Sequence, residues 1–175
     1  MKPFLNFPGL TALAVMLALA GCNTMTPATP SQSTNRATLE SLPANPGAAQ
    51  IAVESNARSF RVGDPIRFRI TSNRNGRLWI VAVNADDSAT VLFPNEVMPD
   101  NRISAGTALD VPQKNLGKEL RALPPAGQTS LAFIVMPENR NLDDILVLRG
   151  QKLSRVGFAS DNDWGMTLLK LEVKE

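Results

Sequence analysis

Two acidic pairs are the first residues in this chain whose type and spacing could do chemistry. Asp86-Asp87 and Asp143-Asp144 each place two carboxylates side by side, and carboxylates are common general acids and bases. The first pair lies in the turn-like run NADDS, and the second follows Asn141 at the start of an apolar segment. Turn formation and helix capping explain both pairs, so we expect them to be structural.

The run DNDWG, Asp161 to Gly165, resembles the beginning of a calcium-binding loop. Such a loop needs an acidic ligand at its twelfth position, which here is Glu172 inside a predicted strand. We therefore expect a hairpin turn that uses Asn162 and Gly165, and no metal site.

The composition removes most other catalytic arrangements. The 175-residue chain has no histidine and no tyrosine, so the usual general base and metal ligand are missing. It also has no Gly-x-Ser-x-Gly motif and no Ser-x-x-Lys pair in a suitable setting. The formal charge is +2 and the arginines are scattered, which does not indicate a nucleic-acid-binding surface. We expect neither an enzyme nor a bound cofactor.

The single cysteine, Cys22, has a different chemistry. It ends the run Leu19-Ala20-Gly21-Cys22, which resembles the bacterial lipobox, and it follows Lys2 and an apolar stretch too short to span a bilayer. The resemblance implies lipidation of Cys22, with residues 1–21 removed as a signal peptide. Asn23, where an aspartate would imply retention in the inner membrane, implies sorting to the outer membrane with the domain facing the periplasm. An ordinary signal peptide with an incidental cysteine is the alternative.

Residues 22–49 are predicted to be the lipidated cysteine and a flexible tether. Thr, Ser, Pro, Asn and Ala dominate this segment, and it has no apolar periodicity. Leu39 and Leu42 could dock on the domain or on a partner, but we favour the interpretation that they are incidental.

Residues 50–175 read as one domain of short strands. IRFRIT, Ile66 to Thr71, alternates between apolar and polar residues, whereas RLWIVAV, Arg77 to Val83, is apolar on both sides and indicates a central strand. Between them, Asn75-Gly76 offers residues that tolerate positive φ, which predicts a hairpin. With ATVLF, Ala89 to Phe93, these segments predict three consecutive antiparallel strands.

The second half of the domain predicts one more central strand and one helix. TSLAFIVM, Thr129 to Met136, is apolar throughout its middle. A short helix is predicted from Asn141 as N-cap to Gly150 at the C-terminal end. The whole pattern predicts an all-β fold, an antiparallel β-sandwich of about seven to nine strands with one short helix.

Several motifs in this domain resemble those of a bacterial family known as domain of unknown function 4384. They occur in the family's order: VGD, FRITSNRNGRLWIV, VLFPN, DNRISAG and PPAG. The resemblance covers about Ala57 to Met136. It implies an accessory β domain for binding or scaffolding, and it supplies no catalytic residues.

The candidate contact residues lie on the predicted hairpin and on the loop after VLFPN. In that loop, Phe93 is expected to pack inward and Asn95 to bond the backbone locally. The arginines of the hairpin could contact anionic lipid, wall polymer or the carboxylates of a protein partner. The favoured alternative is that they form a solvated outer face. The candidate residues are Arg67, Arg69, Arg74, Arg77, Val97 and Met98.

These patterns together predict a lipid-anchored protein on the periplasmic face of the outer membrane. We expect it to act as a non-catalytic protein–protein interaction or scaffolding module in an envelope assembly such as a secretion machine. A binder of a small ligand or a cell-wall glycan is the alternative, and a hydrolytic enzyme comes third. Exposed tryptophans would support a glycan binder, whereas buried Trp79 and Trp164 would argue against it.

Overall fold

A computed structural model describes residues 34–45, 47–156 and 163–175 of the chain, and β-strands are the main regular secondary structure of these residues. The predicted signal peptide, Cys22 and residues 23–33 of the predicted tether lie outside the described residues. Within the described ranges, no helix is long and apolar enough to cross a membrane. The helix and the strands are α1 (Asn35–Glu40), β1 (Ile51–Ser55), β2 (Ser59–Arg61), β3 (Pro65–Ile66), β4 (Phe68–Ser72), β5 (Gly76–Val83), β6 (Ala89–Phe93), β7 (Arg102–Ile103), β8 (Leu109–Val111), β9 (Leu120–Arg121), β10 (Gly127–Met136), β11 (Leu146–Arg149), β12 (Lys152–Arg155) and β13 (Gly165–Lys174).

The strands form two main sheets, and the predicted fold class, an all-β sandwich, is confirmed. The larger sheet has the order β2-β13-β10-β5-β6, with β7 paired to the start of β5. The smaller sheet has the order β1-β4-β8, and β3-β9 and β11-β12 form two-stranded pairs. All strand pairs are antiparallel except β13 with β2, which is parallel.

The first hydrophobic core lies between the two main sheets. Alternate residues of β5 and β10 point into it, including Ile80 and Phe133, and β4 contributes Phe68 from the opposite sheet. The rings of Phe68 and Phe133 meet edge to face across the core, with centroids 5.1 Å apart. The alternation seen in the sequence of β4 therefore gives one face to this core and one to solvent.

A second hydrophobic core covers the outer face of the larger sheet. The remaining residues of β5 and β10, such as Val81 and Ile134, pack there against Leu153 of β12 and Trp164. Because both faces of these strands are covered, β5 and β10 are apolar on both sides. The prediction that they are central strands is confirmed.

The helix α1 packs on this outer face, in a segment that was predicted to be a flexible tether. Leu39 has no exposed surface and Leu42 is 6% exposed, both within the second core. The structure therefore differs from the tether prediction over the described residues 34–45. The docking of two leucines, the less favoured interpretation, is what occurs, because they cover apolar side chains that the sheet leaves open.

The predicted hairpin of β4 and β5 is wrong. β4 pairs with β1 and β8 in the smaller sheet, whereas β5 pairs with β6 and β10 in the larger one. The connection crosses from one sheet to the other. It is held by Asn73, whose backbone N–H donates to the Gln50 carbonyl and whose side-chain oxygen accepts a bond from the Gln50 N–H. The side chain of Asn75 also holds it by accepting a bond from the Ala105 N–H.

Gly76 has a different role from the one predicted. Its φ is not positive. A Cβ on this residue would instead overlap the backbone carbonyl of Met136 on the neighbouring strand β10. Glycine is therefore required for close approach of two backbones.

The predicted helix from Asn141 to Gly150 is also wrong beyond its first turn. Residues Leu142–Asp144 form one turn of 3₁₀ helix, and the chain then continues as the hairpin β11-β12. Gly150 has a φ of 60°, which fits the two-residue turn of a hairpin as well as the end of a helix.

Candidate functional site

The four candidate arginines are not brought together by the structure. Arg69 lies on the outer side of the smaller sheet and exposed Arg67 directly precedes its strand β4, while Arg77 lies on β5 of the larger sheet. Arg69 faces Glu54 and Asp110 on its two neighbouring strands, and its guanidinium lies 3.6 Å from the Asp110 carboxylate. This row of alternating charges is typical of a solvated face, which was the favoured alternative.

Arg77 lies among other charges at the beginning of β5. It pairs in register with Arg102 of β7, and its buried Nε atom has no hydrogen-bond partner. The hydrogen bond from Arg102 is the main reason that the pKa of Asp100 lies below its ordinary value, and the charge of Arg77 adds a smaller effect. Arg74 is exposed in the connection between the sheets.

The loop after VLFPN is a compact turn around Asn95. Its side-chain oxygen accepts bonds from the backbone N–H groups of Val97 and Met98, at 3.0 and 2.9 Å, and its side-chain nitrogen donates to the Leu92 carbonyl. Phe93 is fully buried and ends β6, as predicted. Met98 is only 5% exposed and belongs to the first core, so it offers little surface to a partner, whereas Val97 is 49% exposed.

The acidic pairs have structural partners. The side chains of Asn141 and Asp144 form a capping box at the 3₁₀ turn. The Asp86 carboxylate accepts hydrogen bonds from the hydroxyl and the backbone N–H of Ser88. Both bonds lower the pKa of Asp86, and the bond from the hydroxyl has the larger effect. Asp161 and Asn162 of DNDWG lie outside the described residues. Among the residues that the structure describes, no group of three potential metal ligands occurs.

Asp87 has a partner that the sequence did not suggest. Its carboxylate accepts bonds from the backbone N–H groups of Asn35 and Arg36, at 2.9 and 3.0 Å, so it caps the start of α1 from a distant turn. Its own φ is 64°, a left-handed conformation that aspartate tolerates better than most residues. The turn that was predicted at NADDS therefore also fixes the helix.

The aromatic side chains of the described ranges are all buried, at 5% exposure or less. They are Phe60, Phe68, Trp79, Phe93, Phe133 and Trp164. None of them offers an exposed ring for stacking on a sugar, which counts against a glycan-binding platform in this part of the chain.

An apolar cavity opens at one end of the sandwich. Its volume is about 170 Å³. It lies where β5 ends and where β6 and β10 begin, and the segment 120–124 covers it from the other side. The lining residues are Ile66, Phe68, Ala82, Asn84, Thr90, Leu92, Leu120, Arg121, Ala122, Leu123, Pro124, Thr129, Leu131, Leu171 and Val173.

The rim of this cavity exposes large apolar side chains. Leu123 is 71% exposed, the largest value among the exposed large hydrophobic residues of the described ranges, and Val62 at the same end is 42% exposed. The two segments are tied together because Gly63 donates a backbone bond to Ala122, and Ala122 donates one to Asp64, at 2.8 and 2.9 Å. The exposed apolar surface is therefore presented on a fixed backbone.

The chemistry of this cavity is suited to binding. Its polar lining residues are two threonines, one asparagine and Arg121. The Arg121 guanidinium already bonds the Gly63 carbonyl and the Glu119 carboxylate. Among the residues that the structure describes, the lining contains no carboxylate, histidine or thiol, the groups most used for acid–base or nucleophilic catalysis. The cavity can therefore bury an apolar group.

This cavity was not predicted from the sequence. The run LRALPPAG, Leu120 to Gly127, gives only a weak indication of an apolar surface, namely that the large apolar residue Leu123 directly precedes a Pro-Pro turn. Which residues lie opposite this segment depends on the pairing of β3 with β9, which joins residues more than fifty positions apart.

Comparison with known proteins agrees with the resemblance noted in the sequence. Residues 59–139 match the family model described as Domain of unknown function (DUF4384). This range includes β2 to β10, and so most of both main sheets and the segment that covers the cavity. No curated protein and no solved structure matches the chain.

Proposed function

Because the chain carries a DUF4384-like domain, whose family description names no activity, we propose its function from its own sequence and surface. It is a non-catalytic interaction module, anchored by a lipid on Cys22 to the periplasmic face of the outer membrane. There it binds a protein partner in an envelope assembly such as a secretion machine.

One observation carries the interaction role, namely the open end of the sandwich. We define this open end as Val62, Leu123 and the cavity mouth beside them. Large apolar side chains that remain exposed beside an apolar cavity are typical of protein-binding surfaces. The other candidate surfaces have less to offer a partner, because Arg69 is already paired with Asp110 and Met98 is buried.

The position of α1 relates the open end to the proposed anchor. The guanidinium of Arg36 bonds the backbone carbonyls of Asn84 and Gln128, at 3.1 and 2.8 Å, at the same end of the larger sheet. Thr34 therefore lies at the same end of the larger sheet as the cavity mouth. Eleven residues separate it from Cys22, a length that spans roughly 40 Å at most. The open end is thus held within reach of the membrane, where a membrane-bound partner would meet it.

Thiol accessibility in membranes tests this proposal. Lipidated Cys22 has no free thiol, so Leu123→Cys introduces a single reactive cysteine at the open end. Ser104→Cys is the matched control, because Ser104 is also exposed but follows β7 at the other end of the sheet. We expect a soluble maleimide to label Leu123→Cys more slowly in intact membranes than in the purified protein, with no such difference at Ser104→Cys. Equal labelling of Leu123→Cys in both preparations would exclude a partner there.

A further inference from the structure

The size of the cavity limits what it can hold. Its volume is about 170 Å³, and an apolar cavity of about 150 Å³ lined by Leu, Ile and Phe admits a benzene-sized molecule. One aromatic ring or one branched aliphatic side chain therefore fits. A complete acyl chain of a lipid is too long to be enclosed in this volume.

The lining of the cavity requires an uncharged group. Eleven of its fifteen lining residues are apolar, alanine and proline included. Arg121, the only charged residue among the described part of the lining, is already paired with Glu119 and with a backbone carbonyl. Because no charge in the lining is left without a partner, a carboxylate or ammonium group would lose its hydration and gain no ion pair.

The rim favours a side chain of a protein over a free small molecule. A single ring that enters this cavity alone gains little, on the order of millimolar affinity. The exposed Leu123 and Val62 beside the mouth offer further apolar contact to the chain that carries the ring. An anchor in a pocket, with more contacts around it, is the usual arrangement of a binding hot spot.

We infer that the cavity is the receptor for one uncharged anchor side chain of a membrane-bound protein partner, either a phenyl ring or a leucine-sized group. This inference rests on the proposed function. The eleven residues between Cys22 and Thr34 limit the distance from the proposed anchor to the end of the sheet where the cavity opens, and the partner is therefore expected at the membrane. The anchor enters between Leu123 and the inner faces of the two sheets.

Methyl NMR of residues 22–175 with Cys22→Ser, the chain without the proposed signal peptide and lipid, tests the inference in the absence of detergent. The probes are toluene, N-acetylphenylalaninamide and N-acetylleucinamide, with N-acetyllysinamide and hexadecanoate as comparisons. We expect saturable shifts of the Ile66, Leu120 and Leu131 methyl groups with the first three probes and none with the lysine probe. No saturable shift with any of the first three would overturn the inference, and so would tighter binding of hexadecanoate than of toluene.

Two variants separate specific binding from general apolar adsorption. Ala122 is 1% exposed and lines the cavity, so Ala122→Leu fills it and should weaken toluene binding about tenfold or more. If that variant does not fold, Leu123→Asp is the substitute, because it places a carboxylate at the exposed rim without touching the core. Unchanged toluene affinity in a folded variant of either kind would count against the site.

The outcomes distinguish this inference from the proposed function. Protection of Leu123→Cys in membranes without ring binding would overturn the anchor and leave the interaction module in place. Ring binding without any protection in membranes would overturn the protein partner.

Discussion

At the scale of single residues, Asp87 decides where α1 begins. Its carboxylate accepts two of the first backbone N–H groups of the helix, and the Thr34 side chain accepts a third from Ala37. These donors would otherwise face water or remain unpaired. One turn residue thus satisfies the start of a helix about fifty positions away along the chain.

Asp87→Ala removes this cap and leaves a Cβ-bearing residue with positive φ. We expect the free energy of unfolding to fall by about 1–2 kcal/mol, as measured by urea denaturation. Asp87→Asn is the control, because asparagine tolerates the same backbone conformation and keeps one acceptor, so it should cost less. If both variants lose the same amount, the cap is not the cause.

Glu40 makes the docking of α1 depend on pH. The Lys170 ammonium, 3.1 Å from its carboxylate, is the main reason that the pKa of Glu40 lies below its ordinary value, and the Ser130 hydroxyl adds to this. A lowered pKa in the folded state stabilises the protein above the unfolded value of about 4.5. This contribution is lost as the pH falls through the folded-state pKa.

Glu40→Gln should therefore be less stable than the wild type at pH 7, and this difference should be smaller at pH 3. The pair is largely exposed to solvent, so we expect a small difference that shrinks further at high salt. Urea denaturation at the two pH values measures it. A difference that grows as the pH falls would contradict this assignment.

At the scale of elements, the sequence predicted strands well and their partners less well. β5 and β10 are apolar on both sides, and this alone requires cover on both faces of the larger sheet. The alternation of apolar and polar residues in β4 predicted which face of this strand is buried. The same alternation is expected whether the strand pairs with β5 in one sheet or lies opposite β5 across the core. The pairing of β4 therefore could not be read from the sequence.

The predicted helix after Asn141 failed for a related reason. Ile145 to Leu148 is a continuous apolar run, whose period does not distinguish helix from strand. Gly150 ends a helix and turns a hairpin equally well. Leu146 and Leu153 both lie in the second core, which favours the hairpin, and the residues that share this core with them come from distant parts of the chain.

The docking of α1 gives a stability test with a matched control. Leu39 has no exposed surface, whereas Leu123 is 71% exposed. Leu39→Ala should lower the free energy of unfolding by about 2 kcal/mol or more, up to the limit set by release of the helix. Leu123→Ala should change it by about 0.5 kcal/mol or less. Equal losses of unfolding free energy in the two variants would contradict the docked position of α1. So would hydrogen exchange of α1 that is no faster in Leu39→Ala than in the wild type.

At the scale of the whole molecule, the proposed anchor and the proposed contact surface act together. α1 covers one face of the larger sheet, and Thr34, directly before α1, lies at the end of this sheet where the cavity opens. Sequence motifs predicted the lipid anchor and the DUF4384-like domain. The open end depends on strands from distant parts of the chain, which the sequence did not predict.

Cys22→Ser removes the thiol that the lipobox-like motif provides. We expect the variant to lose metabolic labelling by a palmitate analogue. Its folded domain should be unchanged by circular dichroism, because the described side chains of both cores come from residues between Leu39 and Val173. Continued labelling of the variant would exclude Cys22 as the attachment site.

Photo-crosslinking in living cells tests the central proposal most directly. A photoreactive phenylalanine analogue replaces Leu123 in one chain and Ser104 in another, since both residues are exposed but lie at opposite ends of the sheet. We predict a discrete protein adduct at Leu123 that is absent at Ser104 and reduced in the Cys22→Ser background. The same adducts at both positions, or adducts with lipid alone at Leu123, would contradict a protein-binding surface at the open end.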